Sequence, residues 1–297
     1  MAGSPGNAPD QLGRSEGSVI PQGTTAIEQP KASPDLSSQP TLRDTLAVKQ
    51  RVYQALIVRY LVGRYGRGNI GFLWVIAEPM LFCSGVMIVW SVTKGSLTHG
   101  TNVVALAYTG YLPLLLWRHL SSMQHLLRGA KHLVIFRDIH LLDAIFTRFI
   151  LDFISISASA LIVYLFLQAI GSLPEAYDWA DMLHGWFLMG ALGFGAGLMI
   201  AALSELSEIV EKLVGPFQYF LLPFGGAFFM VGWLPDAAKD IIWYVPLVHS
   251  YELIRGGYFG PEIPTYATPA YAWAWALVMT GLGFLTFRLV EDHVGQN

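Results

Sequence analysis

The chain is 297 residues long, 54% hydrophobic and only 13% charged, with a mean hydropathy of +0.47 and a net charge of −3. Soluble domains place charge on about a quarter of their residues, so this composition excludes a chain whose surface lies mostly in water. The near-neutral balance gives no reason to expect a nucleic-acid partner. The single cysteine, Cys83, sits in an apolar run and excludes an intrachain disulfide framework.

Residues 1–40 are rich in Pro, Ser, Gly, Gln and Thr and nearly free of large apolar side chains. They cannot bury enough surface to offset ordering entropy, so a disordered tail is expected over about 1–45, with the membrane domain over 46–297. No basic start followed by an apolar core is present, so the first membrane helix is expected to direct insertion. Over 46–68, Val48, Val52, Leu56 and Tyr60 recur at helical spacing among Lys49, Arg51, Arg59, Arg64 and Arg67. That pattern suits an amphipathic helix lying in the headgroup layer; an ordinary juxtamembrane linker is the plainer alternative.

Six apolar stretches follow, at about 71–93, 103–123, 144–170, 182–203, 209–233 and 270–290. Each reaches the roughly 20 residues that cross about 30 Å of hydrocarbon, so the expected fold is an all-α integral membrane protein with six transmembrane helices. Cations gather before the first span (Arg43 to Arg67) and around the start of the third (Arg128, Lys131, Arg137, Arg148). Only Lys94 lies between the first two spans, and Glu175, Asp178 and Asp181 stand without any cation between the third and fourth. The positive-inside rule then puts both termini in the cytoplasm. Segment 233–268 is long and rich in Trp, Tyr and Pro. It reads as short re-entrant half-helices before the last span, whose irregular backbone must be buried in protein or line a cavity.

Motifs for chemistry are missing from the sequence. There is no phosphate-binding Gly-x-x-x-x-Gly-Lys-Ser/Thr loop, and Gly66-Arg67-Gly68-Asn69-Ile70-Gly71 does not sit in a βαβ unit. No His, Cys or carboxylate cluster has metal-ligand spacing, so no catalytic residue, metal or cofactor is expected on this chain. Any use of ATP then requires another subunit.

The run Arg64 to Trp74, followed by Glu78-Pro79, resembles the opening of the ABC-2 type permeases, and among them the capsular polysaccharide export permeases of Gram-negative bacteria. Phe136-Arg137-Asp138-Ile139-His140-Leu141-Leu142-Asp143 resembles the family's ATPase-contacting cytoplasmic loop. Glu208 to Pro216 is similar to the loop entering span five, and Pro246-Leu247-Val248-His249 with Glu252 and Arg255 to the patch before the last span. The resemblance covers residues 45–290; it departs at Asp138 and Leu141, where the family often has prolines, and at Val245, where it usually has Asn.

The resemblance implies a permease subunit in the bacterial inner membrane that moves a lipid-linked capsular polysaccharide from cytoplasm to periplasm. It implies a second copy of the chain and two nucleotide-binding subunits holding ATP and Mg. It further implies a periplasmic co-polymerase and an outer-membrane exporter beyond. O-antigen, teichoic acid or another lipid-linked glycan stands as the alternative cargo. A membrane-embedded transferase is the rival from another class, and Asp138 and Asp143 do not complete the acidic site it would need.

The candidate residues fall into three groups. Phe136, Arg137, Asp138 and Asp143 are expected in the ATPase-coupling loop, joined by Glu205, Glu208 and Glu211, whose i, i+3, i+6 spacing places them along one helical face. Tyr108, Tyr111, Trp117 and Arg118 of span two, with Phe220 and Phe224 of span five, either line a channel for sugar or pack against neighbours and lipid. Glu78 and Pro79 form either a pivot or a fixed kink in span one. Glu252 and Arg255, beside His249, are expected to tie the outer half-helices together.

Overall fold

The computed structural model describes residues 42–65, 77, 80, 81, 84–89, 92, 97, 98, 100–130 and 140–294. Five expected site residues, Glu78, Pro79, Phe136, Arg137 and Asp138, lie outside this set. Helix α1 (Leu42–Tyr65) buries Val52 and Leu56, one turn apart, and leaves Val58 and Val62 exposed. A two-residue ladder, β1 (Leu97–Thr98) with β2 (Thr101–Asn102), turns through Gly100 at φ 80°. The Asn102 side chain then accepts from the Val104 and Ala105 N–H groups at 2.8 and 3.2 Å and so starts α2 (Val103–Ser121).

Short α3 (Leu126–Ala130) precedes α4 (Leu141–Ala169), α5 (Trp179–Leu206) and α6 (Glu208–Leu221). Two short helices, α7 (Asp236–Ile242) and α8 (Pro246–Phe259), lead to the final α9 (Pro269–Val294). Among the described residues, α4, α5 and α9 as far as Val290 are long and apolar enough to cross a bilayer. Their outward residues, including Ile154, Leu161, Leu165, Leu277, Leu282 and Leu285, are exposed apolar side chains suited to lipid.

The core is built around α5. A Cβ on Gly197 would lie 2.2 Å from the Leu120 carbonyl oxygen of α2, and one on Gly185 would lie 2.8 Å from the Ser250 carbonyl oxygen of α8. In lipid no hydrophobic force draws helices together, so such close backbone approach supplies the packing instead. On the far side, α9 presents Ala272, Ala276, Phe287 and Val290 to α5 and its neighbours. Helix α2 occupies the expected second span yet is not among the three apolar helices, because Tyr108, Tyr111, Pro113, Arg118 and His119 dilute it. Most of its surface is covered by protein, so it needs less apolar character than a helix facing lipid.

Two elements differ from the sequence expectation. The stretch 209–233 is α-helical only over Glu208–Leu221, about 21 Å of rise and short of the hydrocarbon thickness, with one 3-10 turn at Val231–Trp233. Pro223 lacks a backbone donor, and Gly225 and Gly226 follow, the latter at φ 94°. The second difference is at Ser207, which is extended (φ −149°, ψ 119°) and separates α5 from α6.

Candidate functional site

Helix α8 carries three charged or titratable side chains at i, i+3 and i+6, all buried: His249 and Arg255 at 0% exposure and Glu252 at 1%. Each is directed at main-chain groups outside α8. Arg255 donates to the carbonyls of Gly226 (2.7 Å), Ala227 (2.8 Å) and Phe229. Glu252 accepts from the N–H groups of Val231 (3.1 Å) and Tyr266 (2.9 Å). His249 Nδ1 accepts from the Thr268 N–H at 3.1 Å, which leaves Nε2 carrying the proton and donating to the Trp243 carbonyl at 2.9 Å. Gly110 on α2 permits the arrangement, since a Cβ there would lie 2.2 Å from the Ala227 carbonyl oxygen. Backbone outside regular helices that is shielded from water must find partners inside the protein, and this clasp provides them.

The opposite kind of polar region lies where α1 meets α4. Lys49 Nζ sits 2.7 Å from Asp143 Oδ2, the Tyr53 hydroxyl donates to Asp143 Oδ1 at 3.2 Å, and the Tyr60 hydroxyl donates to Asp152 at 3.2 Å. Burial and then the Asp143 charge push the Tyr53 phenol above its ordinary range, so it remains a donor. Arg148 bonds Asp152 (3.3 Å) and the Ser122 carbonyl (2.7 Å). Charged Asp143, Arg148 and Asp152 thus fill the first three turns of α4, and residues 153–169 carry no charge over about 25 Å. The charged turns and α1 from Lys49 to Tyr60 thus form one polar end of the fold.

A third cluster joins α2 to α6. Gln218 Nε2 donates to the Ser121 and Ser122 hydroxyls at 2.8 and 3.0 Å. Arg118 lies 4.9 Å from the Tyr219 ring centre and 3.4 Å from its hydroxyl. Around this seam Phe217, Tyr219, Phe220, Phe224 and Phe228 are exposed, because α6 buries only Val214 and Gln218. Polar anchoring on one side and aromatic rings on the other give a surface that can meet sugars or a second helix without holding either at a single point.

No family model matches the chain. It is 34% identical over 253 residues to the capsule polysaccharide export inner-membrane protein BexB of Haemophilus influenzae, covering 85% of this chain and 94% of that protein. It is 34% identical over 247 residues to CtrC of Neisseria meningitidis serogroup B, of the same description, covering 83% and 91%. The chain belongs to the capsule polysaccharide export inner-membrane proteins. A more distant likeness, 22% over 262 residues, links it to the polysialic acid transport protein KpsM of Escherichia coli, covering 84% and 97%.

In this capsule export protein the expected site residues separate. Glu252 and Arg255 do tie the connecting segments around α8, but each grips main chain and no ion pair within 4.0 Å joins them. Glu205, Glu208 and Glu211 do not share one helical face: Glu205 lies at the end of α5, and the break at Ser207 starts a new helix with Glu208 and Glu211 in its first turn. Glu211 turns inward to Arg128 (2.8 Å) and His125 (3.0 Å), while Glu208 stays exposed beside Lys212. Asp143 is likewise turned inward to Lys49.

Tyr108 is held among α2, α4 and α8, with its hydroxyl donating to the Ala160 carbonyl and its ring beside Tyr164 and Tyr258. Tyr111 packs half-buried against the same cluster. Trp117 is buried, its indole N–H without a partner among the described residues, near the Gln218 seam. Phe220 and Phe224 stack loosely on each other, 5.2 Å between centres, on and just beyond α6. Sequence reasoning passed over Asp152. A carboxylate inside an apolar stretch is the signal that would have flagged Asp152, by the same rule that singled out Arg118.

Proposed function

We propose that this chain is the membrane-spanning permease subunit of an ATP-driven exporter that carries capsular polysaccharide from the cytoplasm to the periplasm. One observation carries the reading: the likeness to capsule export inner-membrane proteins runs through more than nine-tenths of their length. The internal chemistry agrees with transport, because the buried charged groups of α8 hold backbone and leave no free acid–base pair there.

In the full reading six helices cross the inner membrane, with both termini and the basic α1–α3–α4 end in the cytoplasm. The unbroken acidic loop of Glu175, Asp178 and Asp181 supports that orientation. Two copies pair, each docked on a separate subunit that binds ATP and Mg. A lipid-linked glycan passes outward along aromatic faces, toward a periplasmic co-polymerase and an outer-membrane exporter. Exposed Glu208 and the loop that contains Phe136, Arg137 and Asp138 are the groups offered to the ATPase. Rings suit a moving polymer because they contact C–H faces without fixing a particular hydroxyl.

The test is copurification of the tagged full chain from its native host, with ATPase activity measured in lipid nanodiscs and surface polysaccharide measured after gene deletion. The reading expects an ATPase without membrane spans in the complex, and loss of surface polysaccharide with its accumulation inside the cell. A chain that purifies without any ATPase, and whose deletion leaves surface polysaccharide unchanged, overturns it.

A further inference from the structure

A cavity of about 430 Å³ opens between α1, α3 and α4, walled by Arg59, Gly63, His125, Leu126, Gly129 and Arg148 among others. Among the described residues its lining contains three basic side chains and no Asp or Glu. Two of these bases are already matched: Arg148 by Asp152 and His125 by Glu211, both carboxylates standing outside the lining. Arg59 has no hydrogen bond or ion pair among the described residues, so among them its charge stands without a counter-charge. The neighbours of Arg59 on α1, Val58 and Val62, are exposed apolar residues of the kind that suit the lipid side of an interfacial helix. Leu56, Leu126 and Ala144 supply an apolar wall.

We infer that this cavity is a binding site for the phosphodiester headgroup of a membrane phospholipid, with Arg59 as its charge partner. One phosphodiester carries the single negative charge that Arg59 leaves unmatched, and a guanidinium offers it paired N–H donors. The volume lies within the range of small-ligand sites and has room for a headgroup and its first methylenes. Basic pockets between helices at the cytoplasmic face are a recognised form of lipid headgroup recognition. The glycines keep the space free: a Cβ on Gly63 or Gly129 would meet no atom within 4 Å, so each position is open because it lacks a side chain and not because packing forbids one. Since the argument uses only the local chemistry, it does not depend on the export reading.

The experiment uses the detergent-purified full chain, with any ATPase that copurifies, and native mass spectrometry. The probes are dioctanoyl phosphatidylglycerol, dioctanoylglycerol as the phosphate-free control, and inorganic phosphate as the tail-free control. The expected result is one phosphatidylglycerol per chain, bound at least about tenfold tighter than dioctanoylglycerol. Arg59→Gln, which removes the charge, and Gly63→Leu, which fills the space on a long helix without a clash, each weaken it by about tenfold. Both variants keep the melting temperature of the parent, which shows that the fold is intact. Competition by inorganic phosphate marks a site that reads phosphate alone; its failure marks one that needs the tail as well. Where Arg59→Gln leaves capsule export intact, bulk lipid is the occupant, and where export falls the lipid anchor of the cargo is. Equal binding of the two dioctanoyl probes, or parent-like binding by both variants, overturns the site.

Discussion

Two polar regions of this chain do opposite things with the same residue types. On α8, His249, Glu252 and Arg255 are completely enclosed and aim at carbonyl and amide groups of the non-helical segments 226–231 and 266–268 and of Trp243. At the α1–α4 end, Lys49, Arg148, Asp143 and Asp152 pair side chain to side chain, the carboxylates buried and the cations partly open, and Arg59 has no partner among the described residues. The first region spends most of its polar capacity on the chain itself, with Arg255 Nε and the Ser250 hydroxyl without partners among the described residues, and behaves as architecture. The second is held by ion pairs whose cations reach the surface, Lys49 more than Arg148, so its polar groups lie nearer to whatever surrounds the chain than those of α8.

The largest effect is expected from removing Arg255. Arg255→Met keeps the apolar bulk but strands three carbonyls and leaves the Glu252 charge without its neighbouring cation. Leaving a buried acceptor unsatisfied costs about 1–3 kcal/mol, so stranding several is enough to lower the melting temperature sharply in detergent and deplete the protein from membranes. Glu252→Gln retains one acceptor and gains a donor with no partner, so a loss of about 1–3 kcal/mol is expected. If Arg255→Met melts like the parent, α8 is not the clasp described and the contrast between the two regions fails.

Asp143→Asn sharpens the contrast from the other side. It weakens the Lys49 and Tyr53 contacts while leaving the helix bundle packed, a change of about 2 kcal/mol in the docking of α1. Hydrogen exchange should rise along α1, with little change in α5 or α9 and in the global melting temperature. Global destabilisation equal to that of Arg255→Met would mean that α1 is integral to the core, making the two regions alike.

The helices of this fold were legible in the sequence because length and apolar content are local properties. The expected stretches at 144–170, 182–203 and 270–290 coincide closely with α4, α5 and α9. The early end of α6 was signalled by Pro223, Gly225 and Gly226, but an apolar average over 209–233 concealed it. Site geometry was less legible. The i, i+3 spacing of Glu252 and Arg255 suggested a mutual pair, yet both side chains turn to backbone groups 14 to 29 residues away. Likewise nothing in the spacing of Glu205, Glu208 and Glu211 reveals the extended residue between them. Such partners are set by tertiary packing, which periodicity does not encode.

The smallest effect is expected at the α2–α6 seam. Arg118 rests on the Tyr219 ring at a half-open position, where a cation–π contact is worth about 0.5–1 kcal/mol. Tyr219→Phe keeps the ring face and discards only a long hydroxyl contact of 3.4 Å, so melting temperature and surface polysaccharide should stay near parent values. Tyr219→Leu and Arg118→Gln should each lose the small increment, and the double variant should lose no more than either alone, because one contact underlies both. Additive losses in that cycle would mean that Arg118 and Tyr219 serve separate partners. Arg118 would then belong with Arg59 among the cations turned outward, and the boundary between the inward and outward polar regions would have to be redrawn through α2.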